Sequence, residues 1–216
     1  MDNTVVFDPA FKHPFTMVVS GTSGTGKTWF TMQVLQTSTD PPIDRVYWFY
    51  GEWQDAYANA PPNFTFLPGL PKDLDEYVGD NPSQNKAVVL DDLMNQAAGS
   101  RTVGEAFTQK RHHHNISVVF ITQNTYVQGK QMRNIRMNTM YDVFFSNPRD
   151  TQQFARVASQ VEYGSGRTQD LVDAYKDATS QPHGHFLIDF HPDTPIALRY
   201  RSRTLDAIQH VYALSK

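Results

Sequence analysis

The sequence predicts an α/β fold, in which a mostly parallel sheet is flanked by helices and followed by a C-terminal β-hairpin and helix. Short apolar runs of strand length recur along the chain, and segments with apolar residues at helical spacing separate them. A glycine-rich loop joins an early strand to an early helix, and polar residues follow two later strands. Since no Pro/Gly/Ser-rich linker divides its 216 residues, we expect a single domain over 1–216.

The glycine-rich loop follows the apolar, β-branched run 15–20 and precedes a segment, 29–35, whose apolar residues have the spacing of a buried helix. Its sequence fits the phosphate-binding pattern of Gly, four residues, Gly, Lys and Ser or Thr. Its residues are Gly21, Thr22, Ser23, Gly24, Thr25, Gly26, Lys27 and Thr28. The glycines can adopt positive φ, which lets backbone N–H groups close around phosphate oxygens. We expect Lys27 to reach the β- and γ-phosphates of ATP and Thr28 to bind Mg²⁺, with Trp29 next to the nucleotide.

A second strand with polar residues at its end spans 86–90 and leads into Asp91 and Asp92. A buried strand of this kind would set Asp91 at the carboxyl edge of the sheet, beside Mg²⁺ and Thr28. Asp92 is then placed to orient or deprotonate an attacking water. Asp-Asp pairs also begin turns and cap helices, so the assignment depends on the preceding phosphate loop.

A third strand, 116–124, ends in Gln123 and Asn124. Gln123 is predicted at the same edge as Asp91, where a neutral amide could hold the attacking water or sense the γ-phosphate. The alternative is that the amide only satisfies the end of the strand. The preceding His112, His113 and His114 do not predict a metal site, because consecutive side chains cannot converge on one face of a helix.

The remaining pattern predicts strands at 45–50, 64–67 and 141–145 and helices at 101–114, 131–139 and 168–178. A further helix is expected to start at the Pro and capping residues of 147–151, and the glycines of 164–166 would end that segment. Two C-terminal strands, 185–190 and 195–202, would form the hairpin, and Thr204 would begin the last helix. Arg199, Arg201 and Arg203 alternate, so we expect them on one face of the second strand and outside the core. They could line a channel, contact a neighbouring subunit or face solvent.

Charge is unevenly distributed along the chain. Residues 40–100 hold ten acidic and three basic side chains, whereas residues 101–136 hold six basic side chains against Glu105 alone. The six are Arg101, Lys110, Arg111, Lys130, Arg133 and Arg136. Such a segment suits contact with a polyanion, although a solvated charged face would have the same composition. The chain has no cysteine, no membrane-spanning segment is predicted, and we expect a soluble, intracellular protein.

The three strand ends, Gly-Thr-Ser-Gly-Thr-Gly-Lys-Thr, Val-Val-Leu-Asp-Asp and Ile-Thr-Gln-Asn, resemble those of the FtsK–HerA group of DNA-pumping ATPases. Within it, the chain resembles the poxvirus-type genome-packaging ATPases of double-stranded DNA viruses and of large self-synthesising transposons. The most specific likeness lies in 111–124, and 133–138 and 147–150 extend it. The resemblance covers roughly residues 14–162.

The resemblance implies a RecA-like P-loop core that uses ATP and Mg²⁺ to move double-stranded DNA into a preformed capsid. It implies a homo-oligomeric ring, a pentamer or hexamer, and a viral capsid or portal-vertex protein as partner. The expected location is the site of virion assembly in the host cytoplasm or nucleus, or the virion itself. It also implies an arginine that reaches the neighbour's nucleotide, for which Arg136 and Arg111 rank ahead of Arg101. Asp92 stands where many relatives carry Glu, which leaves the choice of base open.

Three other classes share parts of this pattern. A nucleoside or small-molecule kinase would have the phosphate loop, but it would not need the amide-ended strand or the clustered arginines. A GTPase would need a guanine-reading Asn-Lys-x-Asp, whereas Asn85 and Lys86 are followed by Ala87 and Val88. A DNA-binding or capsid-assembly protein without enzymatic activity would fit only if the nucleotide merely supports the fold.

Overall fold

The structure, a computed structural model, describes residues 7–79, 81, 83–93, 115–124, 135–148 and 151–214. The strands are β1 Phe11–Lys12, β2 Thr16–Ser20, β3 Thr39–Asp40, β4 Arg45–Tyr50, β5 Phe64–Pro68, β6 Lys86–Asp91, β7 Ile116–Thr122, β8 Tyr141–Phe145, β9 His185–Asp189, β10 Tyr200–Ser202 and β11 His210–Val211. The helices are α1 Lys27–Thr37, α2 Asp75–Val78, α3 Thr151–Val161 and α4 Thr168–Ala178, with 3₁₀ turns at Asp55–Asn59 and Ile196–Leu198.

Within the described ranges, nine strands form one mixed sheet in the order β11-β10-β9-β8-β2-β7-β6-β4-β5. The strands from β8 to β5 run parallel, and β9, β10 and β11 add antiparallel strands at one side. The predicted α/β fold with a mostly parallel sheet is therefore confirmed. The pattern did not indicate β1 and β3, two-residue strands that pair with each other outside this sheet.

Both faces of the central sheet are covered. Val19 of β2 and Val89 of β6 pack with Phe30 of α1 on one face, whereas Val18 and Val88 pack on the other. Successive side chains of a strand point to opposite faces, so a strand that is covered on both sides must be apolar throughout. This burial explains why these strands are visible in the sequence as continuous apolar runs.

The parallel register brings the ends of three strands to one edge of the sheet. Ser20, the last residue of β2, pairs with Thr122 at the end of β7. Asp91, at the end of β6, pairs with Ile121 on one side and with Tyr50 on the other. The loops that follow β2, β4, β6 and β7 therefore leave the sheet side by side. The sequence predicted this arrangement for the loops after β2, β6 and β7.

The C-terminal segment differs from the prediction. The expected strand 195–202 is a 3₁₀ turn, Ile196–Leu198, followed by the short strand β10. The expected helix from Thr204 is wrong, because residues 204–209 form turns and lead into β11, which pairs antiparallel with β10. Tertiary pairing has overridden the weak helical pattern of a short segment at the side of the sheet.

The three C-terminal arginines do not share an exposed face. Arg201 is buried, which contradicts the expectation that none of them belongs in the core. Its guanidinium forms an ion pair with Asp189 of β9, and Nη1 donates a hydrogen bond to Gln209 at 2.9 Å. Burial of this arginine is tolerated because a neighbouring strand supplies a carboxylate, a pairing that a one-strand pattern cannot show. Arg203, with a φ of 54°, lies beyond β10 and is exposed.

Candidate nucleotide site

The phosphate loop connects β2 to α1 and has the backbone conformation that its glycines predict. Gly21, Gly24 and Gly26 have φ values of 152°, 78° and 99°. A Cβ atom on Gly21 would lie 2.6 Å from the Cβ of Phe145, and one on Gly26 would lie 3.0 Å from Nδ1 of His183. Both positions therefore require glycine, for the backbone conformation and for the close packing of neighbouring side chains.

Lys27 begins α1 and is 8% exposed. Its Nζ donates hydrogen bonds to the carbonyl oxygens of Gly21 at 2.7 Å and Thr22 at 2.8 Å. Burial lowers the pKa of Lys27, and the nearby carboxylates of Asp91 and Asp92 act in the opposite direction. The lysine thus places a partly desolvated positive charge inside the curve of the loop, where phosphate oxygens would be attracted to it.

Asp91 is 3% exposed and ends β6 beside Thr28. Its Oδ2 accepts hydrogen bonds from the hydroxyl of Tyr57 at 2.8 Å, from Nε1 of Trp48 at 3.2 Å and from Oγ1 of Thr28 at 3.4 Å. Burial raises the pKa of Asp91, whereas the hydrogen bonds from Tyr57 and Trp48 lower it. Oε1 of Gln54 lies 3.1 Å from the same hydroxyl, so the single hydroxyl hydrogen of Thr28 is directed either to Gln54 or to Asp91.

The pair Thr28 and Asp91 fits a magnesium ion. A hydroxyl oxygen and a carboxylate oxygen lie 3.4 Å apart in a cavity that also contains the phosphate loop. Hard oxygen donors of this kind suit Mg²⁺, which is commonly held by one or two protein oxygens together with substrate phosphates. A separate cluster of three or more His, Cys, Asp or Glu side chains suited to a metal does not occur among the described residues.

Asp92 and Gln123 meet at the mouth of the same cavity. Nε2 of Gln123 donates to Oδ2 of Asp92 at 3.1 Å, and both side chains are exposed. Asp92 has a φ of 55°, an uncommon backbone conformation for a residue with a side chain. The sequence predicted Gln123 only at the same sheet edge as Asp91, and its hydrogen bond to Asp92 is a contact that the structure adds.

A cavity of about 520 Å³ unites these groups. Its lining includes the phosphate loop, Trp29, Asp91, Asp92 and Gln123. The sequence interpretation assigned no chemistry to the segment after β4, yet Glu52, Trp53, Gln54 and Ala56 also line the cavity. The many aromatic residues of this segment are visible in the sequence and could have marked it as part of a site. Their position near Asp91 could not be predicted, because it depends on the pairing of β4 with β6.

Arg136 lies away from the nucleotide site of its own chain. Its side chain is mostly buried and pairs with buried Asp142 of β8, with Nη1 and Oδ2 separated by 3.6 Å. It precedes β8, whose carboxyl end pairs with the end of β2, so Arg136 is on the opposite edge of the sheet from the phosphate loop. Arg111 and the other basic residues of 101–134, together with the histidine triplet, lie outside the described residues.

Comparison with protein-family models gave no match, and comparison with curated protein sequences gave none either. Solved structures do match. The genome packaging NTPase B204 of Sulfolobus turreted icosahedral virus 2, in complex with ATP-gammaS, superposes with a TM-score of 0.56 at 12% identity, covering 87% of this chain and 96% of that one. B204 of Sulfolobus turreted icosahedral virus, a DNA-packaging ATPase, gives a TM-score of 0.56 at 10% identity and covers 95% and 100%.

These similarities confirm the RecA-like P-loop ATPase fold that the resemblance implied, and they confirm the likeness to packaging ATPases at the level of the fold. The described helices include none with the length and apolar character needed to cross a membrane.

Proposed function

We propose that the protein is an ATPase that drives double-stranded DNA into a preformed viral capsid. The observation that carries the ATPase proposal is the convergence of Lys27, Thr28, Asp91, Asp92 and Gln123 on one cavity at the carboxyl edge of the sheet. Each of these side chains has a separate task in phosphoryl transfer, and the fold brings them together from three strands.

Lys27 and the N–H groups of the phosphate loop would bind and orient the β- and γ-phosphates of ATP. Thr28 and Asp91 would hold Mg²⁺, which neutralises charge on these phosphates when bound. A water oxygen attacks the γ-phosphorus as the bond to the β-phosphate oxygen breaks, and Asp92 accepts the proton that the water loses. Gln123, already hydrogen-bonded to Asp92, would orient this water without adding charge.

The DNA-packaging part of the proposal is supported by two likenesses and by charge. The strand-end motifs resemble the packaging ATPases, and the fold is similar to that of B204, described as a viral genome packaging NTPase. Apart from Arg136, which pairs with Asp142, the basic residues of the segment 101–136 supply charges that could follow DNA phosphates without reading bases. The proposed assembly is a ring of five or six copies bound to a capsid or portal-vertex protein where virions form.

ATP hydrolysis measured with and without double-stranded DNA tests this function directly. A motor should hydrolyse ATP faster with DNA of any sequence, and its DNA affinity should fall steeply as salt rises. Hydrolysis that DNA leaves unchanged, combined with phosphate transfer to a nucleoside or other small molecule, would instead identify a kinase. Binding confined to one DNA sequence would contradict contact with the phosphates alone.

We further propose that a neighbouring subunit completes the active site. A cation is usually needed for the charge that develops on the transferred phosphoryl group, and it contributes roughly 10³- to 10⁵-fold in turnover. Arg136 cannot serve its own site from the opposite edge of the sheet, but a head-to-tail ring could present Arg136 or Arg111 to a neighbour.

Mixing of inactive variants tests this proposal. Lys27→Ala subunits mixed with Arg111→Ala or Arg136→Lys subunits should recover partial activity, because some interfaces pair an intact phosphate loop with an intact arginine. Lysine is chosen at 136 because alanine would leave Asp142 buried without its cation. Mixed assemblies that form and stay inactive with both arginine variants would exclude these residues as the shared cation.

A further inference from the structure

Two aromatic side chains contact the carboxylate of Asp91 and have no role in the site described so far. The phenol of Tyr57 and the indole of Trp48 both donate to Oδ2, at 2.8 and 3.2 Å. Hydrogen bonds to an ionised group are stronger than those between neutral groups, and a carboxylate as buried as Asp91 requires such donors. The two rings therefore favour the ionised form of Asp91 and offset part of the rise in its pKa that burial causes.

The rings are held in place by their own packing. Trp48 is fully buried, and Tyr57 is 3% exposed in the 3₁₀ turn Asp55–Asn59. Tyr57 stacks on Phe66 with ring centroids 4.6 Å apart, and Trp48 lies 5.7 Å from Tyr57 and 5.8 Å from Phe66. Because the rings cannot swing away, their polar atoms define where Oδ2 lies.

The geometry also separates the two oxygens of Asp91. Among the described residues, the side-chain hydrogen bonds of this carboxylate all end on Oδ2. The second oxygen, Oδ1, is left for a ligand in the cavity that Asp91 lines. Thr28 directs its hydroxyl hydrogen to Gln54 or Asp91, which leaves an oxygen lone pair of Thr28 for the same ligand.

We infer that Tyr57 and Trp48 are positioning residues, which fix the Asp91 carboxylate so that it can bind a magnesium–nucleotide complex. This inference rests on the proposed ATPase function and adds two residues to it. The positions of metal-binding side chains depend on their hydrogen-bonded supports, and loss of such a support typically weakens metal affinity roughly 10- to 100-fold.

Binding of the non-hydrolysable analogue AMPPCP tests the inference without relying on turnover. Tyr57→Phe removes one hydroxyl and keeps the stacked ring, so binding with Mg²⁺ should weaken roughly 10-fold or more, while binding in EDTA should not change. Tyr50→Phe is the matched control, because Tyr50 lies 5.5 Å from Tyr57 in the same aromatic group and makes no hydrogen bond to Asp91. In an Asp91→Asn background the Tyr57 change should have little further effect.

Trp48 supplies a second readout in a Trp29→Phe, Trp53→Phe double variant, which keeps Trp48 as its one tryptophan. The two exposed tryptophans are removed because both line the cavity, where a bound nucleotide would alter their emission directly. The emission of Trp48 should change on addition of AMPPCP with Mg²⁺ and stay constant on addition of AMPPCP in EDTA. This measurement decides the matter if Tyr57→Phe does not fold.

The possible results distinguish a failure of the positioning role of Tyr57 and Trp48 from a failure of the proposed ATPase function. A wild-type protein that binds AMPPCP neither with Mg²⁺ nor in EDTA would overturn the proposed ATPase itself. A wild-type protein with Mg²⁺-dependent binding that Tyr57→Phe leaves intact, or weakens equally in EDTA, would overturn only the positioning role. An unchanged Trp48 emission on Mg²⁺–AMPPCP binding would overturn it as well.

Discussion

Replacing Lys27 with alanine should lower ATP turnover strongly and lower the stability of the fold only slightly. The ammonium group lies within 2.8 Å of two loop carbonyl oxygens, and the residue is buried at the start of α1. The change removes the charge that would oppose the developing charge on the γ-phosphate. It leaves the apolar contacts of α1 with the sheet in place, since Phe30 and Leu35 carry these contacts.

The two effects differ in size. Removing one preorganised electrostatic donor from an active site typically lowers kcat about 10²- to 10³-fold, which corresponds to about 3–4 kcal/mol. The lost hydrogen bonds of Nζ are partly offset because the charge no longer has to be buried, so the free energy of unfolding should fall by only about 1–2 kcal/mol. For a chain of this length that lowers Tm by roughly 2–8 °C.

Lys86 is the matched control for this experiment. It is also a buried lysine, and its Nζ donates to the carbonyl oxygen of Asn81 at 3.2 Å. It lies at the start of β6, whereas the nucleotide site lies at the other end of that strand, beside Asp91. Lys86→Ala should therefore lower Tm by a similar amount and leave kcat unchanged. ATP turnover and thermal unfolding are measured on both variants. A Lys27→Ala protein that keeps most of its turnover would refute the phosphate-loop assignment.

Other substitutions test single groups. Asp91→Asn should weaken Mg²⁺-dependent nucleotide binding, whereas Asp92→Asn should keep binding and lose hydrolysis, which calorimetry and turnover measurements can separate. Glu52→Gln changes another carboxylate of the cavity and should keep most of the turnover; a larger loss than in Asp92→Asn would transfer the proton-accepting role to Glu52. Burial beside Thr204 lowers the pKa of His185 to about 4, below its value of about 6.5 in the unfolded chain. The unfolded chain therefore binds more protons, and stability should fall by up to about 3 kcal/mol as pH drops from about 6.5 to 4. In urea unfolding, the free energy of unfolding should depend less on pH for His185→Gln than for the wild type. An equal dependence on pH in the two proteins would contradict this prediction.

The sequence alone predicted much of the fold and of the site, because the relevant signals are local. β4 and β8 have the predicted bounds, and β6 and β7 end next to the polar residues that the pattern placed at their ends. The glycines of the phosphate loop have the predicted positive φ. Strands buried on both faces leave a continuous apolar signal, and the parallel arrangement then brings Asp91 and Gln123 to one edge without any further information.

Only the tertiary structure decided which side chains support these groups. Tyr57 and Trp48 are 34 and 43 residues from Asp91 along the chain, and their contacts with it exist because β4 lies beside β6. Arg201 entered the core because Asp189 of β9 lies beside it, and the C-terminal helix gave way to strand pairing for a similar reason. Hydrophobic periodicity indicates whether a residue is buried. A buried polar group also needs a hydrogen-bonding or charged partner, and here that partner lies on another part of the chain. Its identity is therefore decided only when the strands of the sheet come together.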